Sequence, residues 1–323
     1  MMKRQRSHSG FTLIELIVAM GLGLTFVAGT VVVFIQTSRS TSQDDEIARV
    51  LENGRFVMRF VSRELAMAGF WGKFLDIETA TDHLSATVGT ECGDGVNPWI
   101  LELDALQFLN DATTATTAAT FGCLPSADIV AGSDIFAVKR VADAETLDAN
   151  IVSSQMYMRT NGVAAQMFRG AGVGTPPALG GTEANWAYFP QVFYLRNYSV
   201  VSGDGIPTLC RAALDSGSPP DMRSECLVEG VENIQIEFGV DDDDDFIANY
   251  YTATPTAVEI FDSVSVRLYV LVRSVSEMPN YTNDKTYIMG STTIAAANDG
   301  FFRRVFSTTV VLRNPANLTG LDS

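Results

Sequence analysis

Gly10-Phe11-Thr12-Leu13-Ile14-Glu15-Leu16 opens an apolar run that continues to Ile35. The residues before it carry Lys3, Arg4 and Arg6. Between Phe11 and Ile35 there is no Lys, Arg or Asp, and the single carboxylate is Glu15. As a helix rising about 1.5 Å per residue the run reaches roughly 37 Å, more than a hydrocarbon core of about 30 Å. With the cations on its N-terminal side, the positive-inside rule holds the leader in the cytoplasm and sends the rest of the chain outward. Glu15 breaks the pattern, because a carboxylate inside a spanning helix costs on the order of 3 kcal/mol and needs a partner. If the chain were cut after Gly10, a new amine on Phe11 would lie one helical turn from Glu15. Paired within one chain or between neighbours, the two charges would favour parallel helices staggered by about a turn. An ordinary secretory signal does not fit, since its apolar segment is shorter and its small-residue cleavage site follows that segment.

The order of basic leader, Gly10, Phe11 and then Thr12-Leu13-Ile14-Glu15 resembles the class III leader of type IV prepilins. The resemblance implies that a prepilin peptidase cleaves between Gly10 and Phe11 and methylates the Phe11 amine. It also implies that Glu15 sets the register of assembly.

The apolar periodicity resumes beyond a polar stretch at 36–45. Ile47, Val50, Leu51, Gly54, Val57, Met58, Val61, Leu65 and Ala68 follow three- and four-residue steps, one face of an amphipathic helix. Asp45, Arg49, Glu52, Arg55, Arg59, Arg63 and Glu64 are assigned to the opposite, solvated face. One helix from Phe11 to about Ala68, roughly 87 Å long, is expected. Gly69-Phe70-Trp71-Gly72 reads as its C-cap and a hydrophobic clasp onto the body.

The chain has 323 residues and a net charge of −16, which loss of Lys3, Arg4 and Arg6 deepens to −19. So acidic a chain is not expected to bind nucleic acid or to carry a polybasic membrane patch. Four cysteines, Cys92, Cys123, Cys210 and Cys226, form no C-x-x-C pair. Outside the cytoplasm an even count favours disulfides. Three pairings exist, of which Cys92–Cys123 with Cys210–Cys226 closes the shortest loops.

Asn110–Thr120, NDATTATTAAT, has few large apolar groups and reads as a surface loop without a core face. Strands are expected over 134–141, 151–158 and 191–201, and Gly170–Gly181 reads as a loop. The last third alternates most clearly. Ile234, Ile236, Phe238 and Val240 form one row, and Val264, Val266, Leu268, Val270 and Val272 another, each with a polar opposite face; Phe301–Arg313 closes the body as a further strand.

Glu52-Asn53-Gly54-Arg55-Phe56, the stretch 63–72, Leu227–Ile234, Leu271-Val272-Arg273-Ser274 and Arg303–Val310 with Arg313-Asn314 are similar to segments of PilW-type minor pilins. The resemblance implies an α+β, pilin-like fold: a long N-terminal helix, membrane-spanning in its first half, packed on an antiparallel β-sheet domain. The expected organisation is a leader at 1–10, a transmembrane and assembly helix at 11–35, its amphipathic second half at 36–72 and a β-rich globular domain at 73–323. The implied role is to prime or cap type IV pilus assembly. The implied partners are other minor pilins, the major pilin, the prepilin peptidase and the assembly platform of the inner membrane. The protein is expected in the inner membrane with its C-terminal domain periplasmic, and then at the tip of the extracellular pilus. A type II secretion pseudopilin of the J kind and a tip adhesin are the alternatives.

Asp241, Asp243 and Asp245 alternate within five successive aspartates, and calcium is the ion that would relieve their repulsion, with Asn249 nearby. An EF-hand loop wants Gly at position six and Glu at position twelve, where this chain has Phe246 and Thr252, so that motif fails, and a solvated acidic turn is the competing reading. No other cofactor is expected. Catalysis finds little support: His83 would be the only histidine after loss of the leader, and G-x-S-x-G and P-loop patterns are absent. Arg303 and Arg304 are read as structural charges or contacts to another subunit.

Overall fold

Tertiary order begins where the apolar period of the first helix meets the body. The structure, a computed structural model, describes residues 10–74, 81–82, 89–93, 99–102, 104–170, 178–215, 217 and 220–314. The helix α1 runs Leu13–Ala66, 54 residues. The chain divides into two units, 1–48 and 49–323. In the first unit α1 is exposed along its apolar length. In the second, Val50, Val57, Val61 and Leu65 are almost wholly buried. At about 1.5–3 kcal/mol for each fully buried aliphatic side chain, this stripe contributes roughly 10 kcal/mol gross. The helix stops as expected: Gly69 sits at φ +70, and its N–H donates to the carbonyl of Lys139. Trp71 is buried and Phe70 meets Trp186 edge to face.

Beyond α1 the elements are β1 (Thr81–Asp82), β2 (Leu106–Leu109), α2 (Thr114–Thr120), β3 (Ile135–Val141), β4 (Met156–Thr160), β5 (Ala165–Arg169), β6 (Ala184–Arg196), β7 (Thr208–Leu214), β8 (Met222–Glu229), β9 (Val231–Val240), β10 (Tyr250–Thr252), α3 (Ala257–Phe261), β11 (Ser263–Arg273), β12 (Tyr287–Met289), β13 (Thr292–Ile294) and β14 (Arg303–Val311). The fold is α+β, with a long N-terminal helix and mainly antiparallel sheets; β1 and β5 pair in parallel. The strands form two main sheets. An eight-stranded sheet is ordered β1-β5-β4-β6-β3-β2, with β7 on β6 and β8 on β7; a four-stranded sheet is ordered β10-β9-β11-β14. The β12–β13 ribbon stands separately. The buried stripe of α1 shares one core with Phe136, Val138, Phe193 and Leu195 of the first sheet and Ile234, Ile236, Val266, Leu268 and Val310 of the second. Gly54 permits a close approach, because a side chain there would collide with the ring of Phe306 on β14.

Several local expectations are corrected. The stretch 110–120 is not a loop throughout: α2 forms behind a Thr113–Thr116 capping box, with Ala112, Thr117 and Phe121 buried. The strand expected at 151–158 lies at Met156–Thr160. The strand expected at 191–201 starts earlier, at Ala184, and stops at Arg196. It stops because the Asp204 carboxylate accepts the N–H groups of Ser199, Val200, Val201 and Ile206, folding those residues into a loop. Those hydrogen bonds hold the Asp204 carboxyl down at about 2. β11 has no open polar face, since Ser265, Leu271 and Arg273 are buried beside the apolar row. On β9, Gln235 and Glu237 are covered by β13 and its turn, accepting from the Thr292 hydroxyl at 2.9 Å and the Ser291 N–H at 2.8 Å. His83 and positions 171–177 of the Gly170–Gly181 stretch lie outside the described residues.

Candidate functional site

The first turn of α1 carries a reciprocal cap. The Thr12 N–H and hydroxyl donate to Glu15 Oε2 at 2.9 and 2.8 Å, and the Glu15 N–H donates to Thr12 Oγ1 at 3.3 Å. Thr12 is thus a site residue that the sequence reading overlooked, although T-x-x-E before an apolar run is a known helix-start signature. None of these bonds uses an atom before Phe11, so cleavage after Gly10 would leave the cap intact. Phe11, Ile14, Val18, Ala19 and Leu22 line a shallow apolar groove around Glu15. Phe11 is 91% exposed and Phe34 73%. The helix is long and apolar enough to cross a membrane, with a mean hydropathy of 2.4 in its most apolar window. An exposed run of this kind needs lipid or other helices around it.

Glu64 is not on the solvated face. It is buried, and Arg140 of β3 grips both its oxygens, Nε to Oε2 at 2.8 Å and Nη2 to Oε1 at 3.0 Å. Gln191 of β6 donates to the same Oε2 at 2.9 Å and accepts from Arg211 of β7, which in turn pairs with Glu225 of β8. One glutamate therefore ties α1 to four neighbouring strands. Its signal lay in the helix period, since 50, 54, 57, 61, 64 and 68 advance in steps of four and three.

A second buried ion was also missed. Lys139 Nζ donates to the carbonyls of Trp99 and Glu102 at 2.8 and 2.7 Å and stands 4.1 Å from the Trp99 ring centroid. Burial pushes its amine down to about 7. Asp134, next to the start of the same strand, is pushed up to about 7, again by burial, while accepting from the N–H groups of Asp111 and Ile236.

The cysteines pair as Cys92–Cys123 and Cys210–Cys226. The second pair faces across the β7–β8 ladder.

Asp241, Asp243 and Asp245 each bring a carboxylate oxygen within 4.8 Å of the others. Asp241 is buried, and its carboxylate accepts from the N–H groups of Asp243, Asp245 and Phe246. Phe246 sits at φ +64, the conformation for which a calcium loop uses Gly. The oxygens lie close enough to face one cation and position six takes the backbone conformation of a calcium loop, but position twelve is Thr252 on β10, which offers no carboxylate. The repulsion expected of the run is already relieved in part by backbone donors.

Arg303 is structural: it is buried, and it holds Glu232 and Asp299 through bidentate contacts. Arg304 is exposed.

Residues 192–314 match the family model of type IV pilus-assembly protein W, and residues 5–31 match that of the prokaryotic N-terminal methylation motif. No curated protein matches the chain. Among solved structures, a type IV-like pilin from Thermus thermophilus aligns at 12% identity and a TM-score of 0.37, over 82% of this chain and 96% of that one. The apolar N-terminal helix and its leader motif fit membrane anchoring in pilus assembly. The chain thus carries a segment similar to the prokaryotic methylation motif at one end and a segment similar to type IV pilus-assembly protein W at the other.

Proposed function

We propose that this protein is a minor pilin that primes or caps the type IV pilus and has no catalytic role. The observation that carries the reading is Glu15, a carboxylate at the fifth position after a Gly10–Phe11 junction in an otherwise apolar run that is exposed from Phe11 to Ile35. After cleavage, the Phe11 amine would lie within a turn of Glu15 of its own or a neighbouring helix. The capping bonds from Thr12 leave Oε1 of Glu15 open to accept that charge. Before assembly the helix holds the protein in the inner membrane, with the body on the periplasmic side. Leaving lipid requires burial of residues 11–35 against other pilin helices, which drives incorporation. The other minor pilins, the major pilin, the prepilin peptidase and the assembly platform are its partners. The bulk of the body favours the fibre tip. A calcium ion on Asp241, Asp243 and Asp245 belongs to the same proposal, as a brace for the loop between β9 and β10.

Intact mass of the protein from the producing cell tests the reading. The expected species begins at a methylated Phe11 and lacks four cysteine hydrogens. A chain still beginning at Met1, or a Glu15→Ala chain that enters fibres normally, would overturn it. Loss of protein secretion with intact pili in a deletion strain would instead indicate a type II secretion pseudopilin.

A further inference from the structure

β14 ends the four-stranded sheet, and among the described residues only β11 pairs with it. Its register on β11 is unbroken from Arg303↔Arg273 to Val311↔Ser265. The direction of its backbone groups follows from two flanking bonds. The Leu312 N–H donates to Val264 O, and the Ser274 N–H donates to Phe302 O. The even-numbered residues of β14 therefore face β11. The odd-numbered ones, Val305, Ser307, Thr309 and Val311, turn N–H and C=O away from the sheet. At the N-terminal end of this edge the Arg303 carbonyl accepts from the Tyr287 hydroxyl at 3.3 Å. Among the described residues nothing bonds to the edge groups of the four that follow.

Such an edge is unusual. Proteins blunt free edges with a proline, a bulge or a charge in mid-strand, and Val305–Val311 has none of these. Ser307, Thr309 and Val311 are exposed beside it. Charge frames the edge at both ends: Arg304 and Arg313 are exposed, neither has a carboxylate partner among the described residues, and no Asp or Glu occurs from Gly300 to Arg313. The whole chain carries −16, so this edge is a local reversal of sign.

We infer that the β14 edge is a docking strand, completed by an extended segment of a different pilin subunit that carries carboxylates near both ends. The inference rests on the pilin reading above and names the surface through which a partner binds. Main-chain bonds from the four outward residues supply affinity, as in other strand-addition complexes. Arg304 and Arg313, about 30 Å apart along an extended strand, select the acidic ends and the register. A second copy of this chain is a poor occupant. Paired antiparallel about Thr308, it would set the unpaired Arg313 beside the unpaired Arg304, like charge against like.

Photo-crosslinking tests the inference on full-length protein in membranes and pili of the producing cell. Val311→Cys carries a short thiol-linked photoprobe, and mass spectrometry reads the joined peptide. The expected product links Val311 to an extended, acid-flanked segment of another pilin. Ser307→Pro removes an outward N–H and leaves every bond to β11, so the melting temperature should hold while the cross-link yield falls about tenfold, the effect of roughly 1.4 kcal/mol. Thr308→Pro, which breaks the β11 ladder, should instead unfold the sheet. A product joined to residues 315–323 of the same chain, a product joined to a second copy, no product, or full yield from the Ser307→Pro chain would each overturn the docking strand. Any of these results with a correctly processed Phe11 terminus rejects the edge alone, whereas an unprocessed chain rejects the pilin reading itself.

Discussion

Glu64 shows how much one residue can hold. Its oxygens are shared among Arg140 and Gln191, and the chain of bonds continues through Arg211 to Glu225. A buried ion pair is weak evidence of net stability, but removing one partner strands the other charge. Glu64→Ala should therefore cost about 3–5 kcal/mol in urea unfolding of the detergent-solubilised chain. Replacing Glu64 and Arg140 together by Leu should recover most of that loss, and an unchanged midpoint in the single variant would contradict the network. Lys139 makes a prediction about pH. Its folded value, about 7, lies below the ordinary lysine value, so between the two the unfolded chain binds a proton that the folded chain does not. Stability then rises with pH from about 7 toward about 10.4. Asp134 acts in the neighbouring window with the opposite slope. Its folded value is raised to about 7, so its contribution is full below about 3.9 and is lost as pH rises toward 7. Together the two place a minimum of their joint contribution near neutrality. Urea melts at pH 7.5 and 9.5 should show the alkaline gain in the natural chain and its loss in Lys139→Met.

At the scale of elements, the two disulfides close segments of unequal span, 31 residues for Cys92–Cys123 and 16 for Cys210–Cys226. On the chain-entropy account each should contribute about 3 kcal/mol, with the longer loop ahead by about half a kcal/mol. Replacing each pair by Ala and comparing denaturation midpoints checks both size and order. Elements whose apolar residues all meet one core were the legible ones. The stripe from Val50 to Ala68 and the alternation in β9 and β11 follow from a single period meeting a single core. Where apolar residues fill both faces, the pattern misleads. Ala184–Phe189 opens β6 between β4 and β3, with little alternation to announce it. α2 is built of Thr and Ala, a composition that reads as a loop until Thr113 and Thr116 are seen to cap each other. Lys139 was illegible, and Glu64 was passed over despite its place in the helix period, for a related reason: a charge is assigned to solvent by default, and only the opposing strand supplies the partner that lets it stay inside. The N-terminal motif was more open to reading, since Gly10, Phe11 and Glu15 lie close together in sequence and need no tertiary contact to be recognised.

The molecule as a whole joins an apolar helix to a strongly acidic chain, and that acidity governs how the calcium proposal must be tested. At a net charge of −16, any divalent cation would stabilise the folded chain somewhat by screening self-repulsion. A rise in melting temperature with calcium alone would therefore say nothing about Asp241, Asp243 and Asp245. A bound ion adds a linkage contribution that depends on its own affinity, about 2.7 kcal/mol at a hundredfold excess over the dissociation constant. Calcium is the ion proposed, because three carboxylates on one turn do not make the near-octahedral cage that magnesium demands. Calcium should thus raise the melting temperature more than an equal concentration of magnesium, and a chelator should reverse the difference. In the Asp243→Asn, Asp245→Asn double variant the two ions should become equivalent. Asp241 is left unchanged because its carboxylate already organises the turn through the N–H groups of Asp243, Asp245 and Phe246. Equal shifts from calcium and magnesium in the natural chain would assign the effect to screening and remove the ion from the loop.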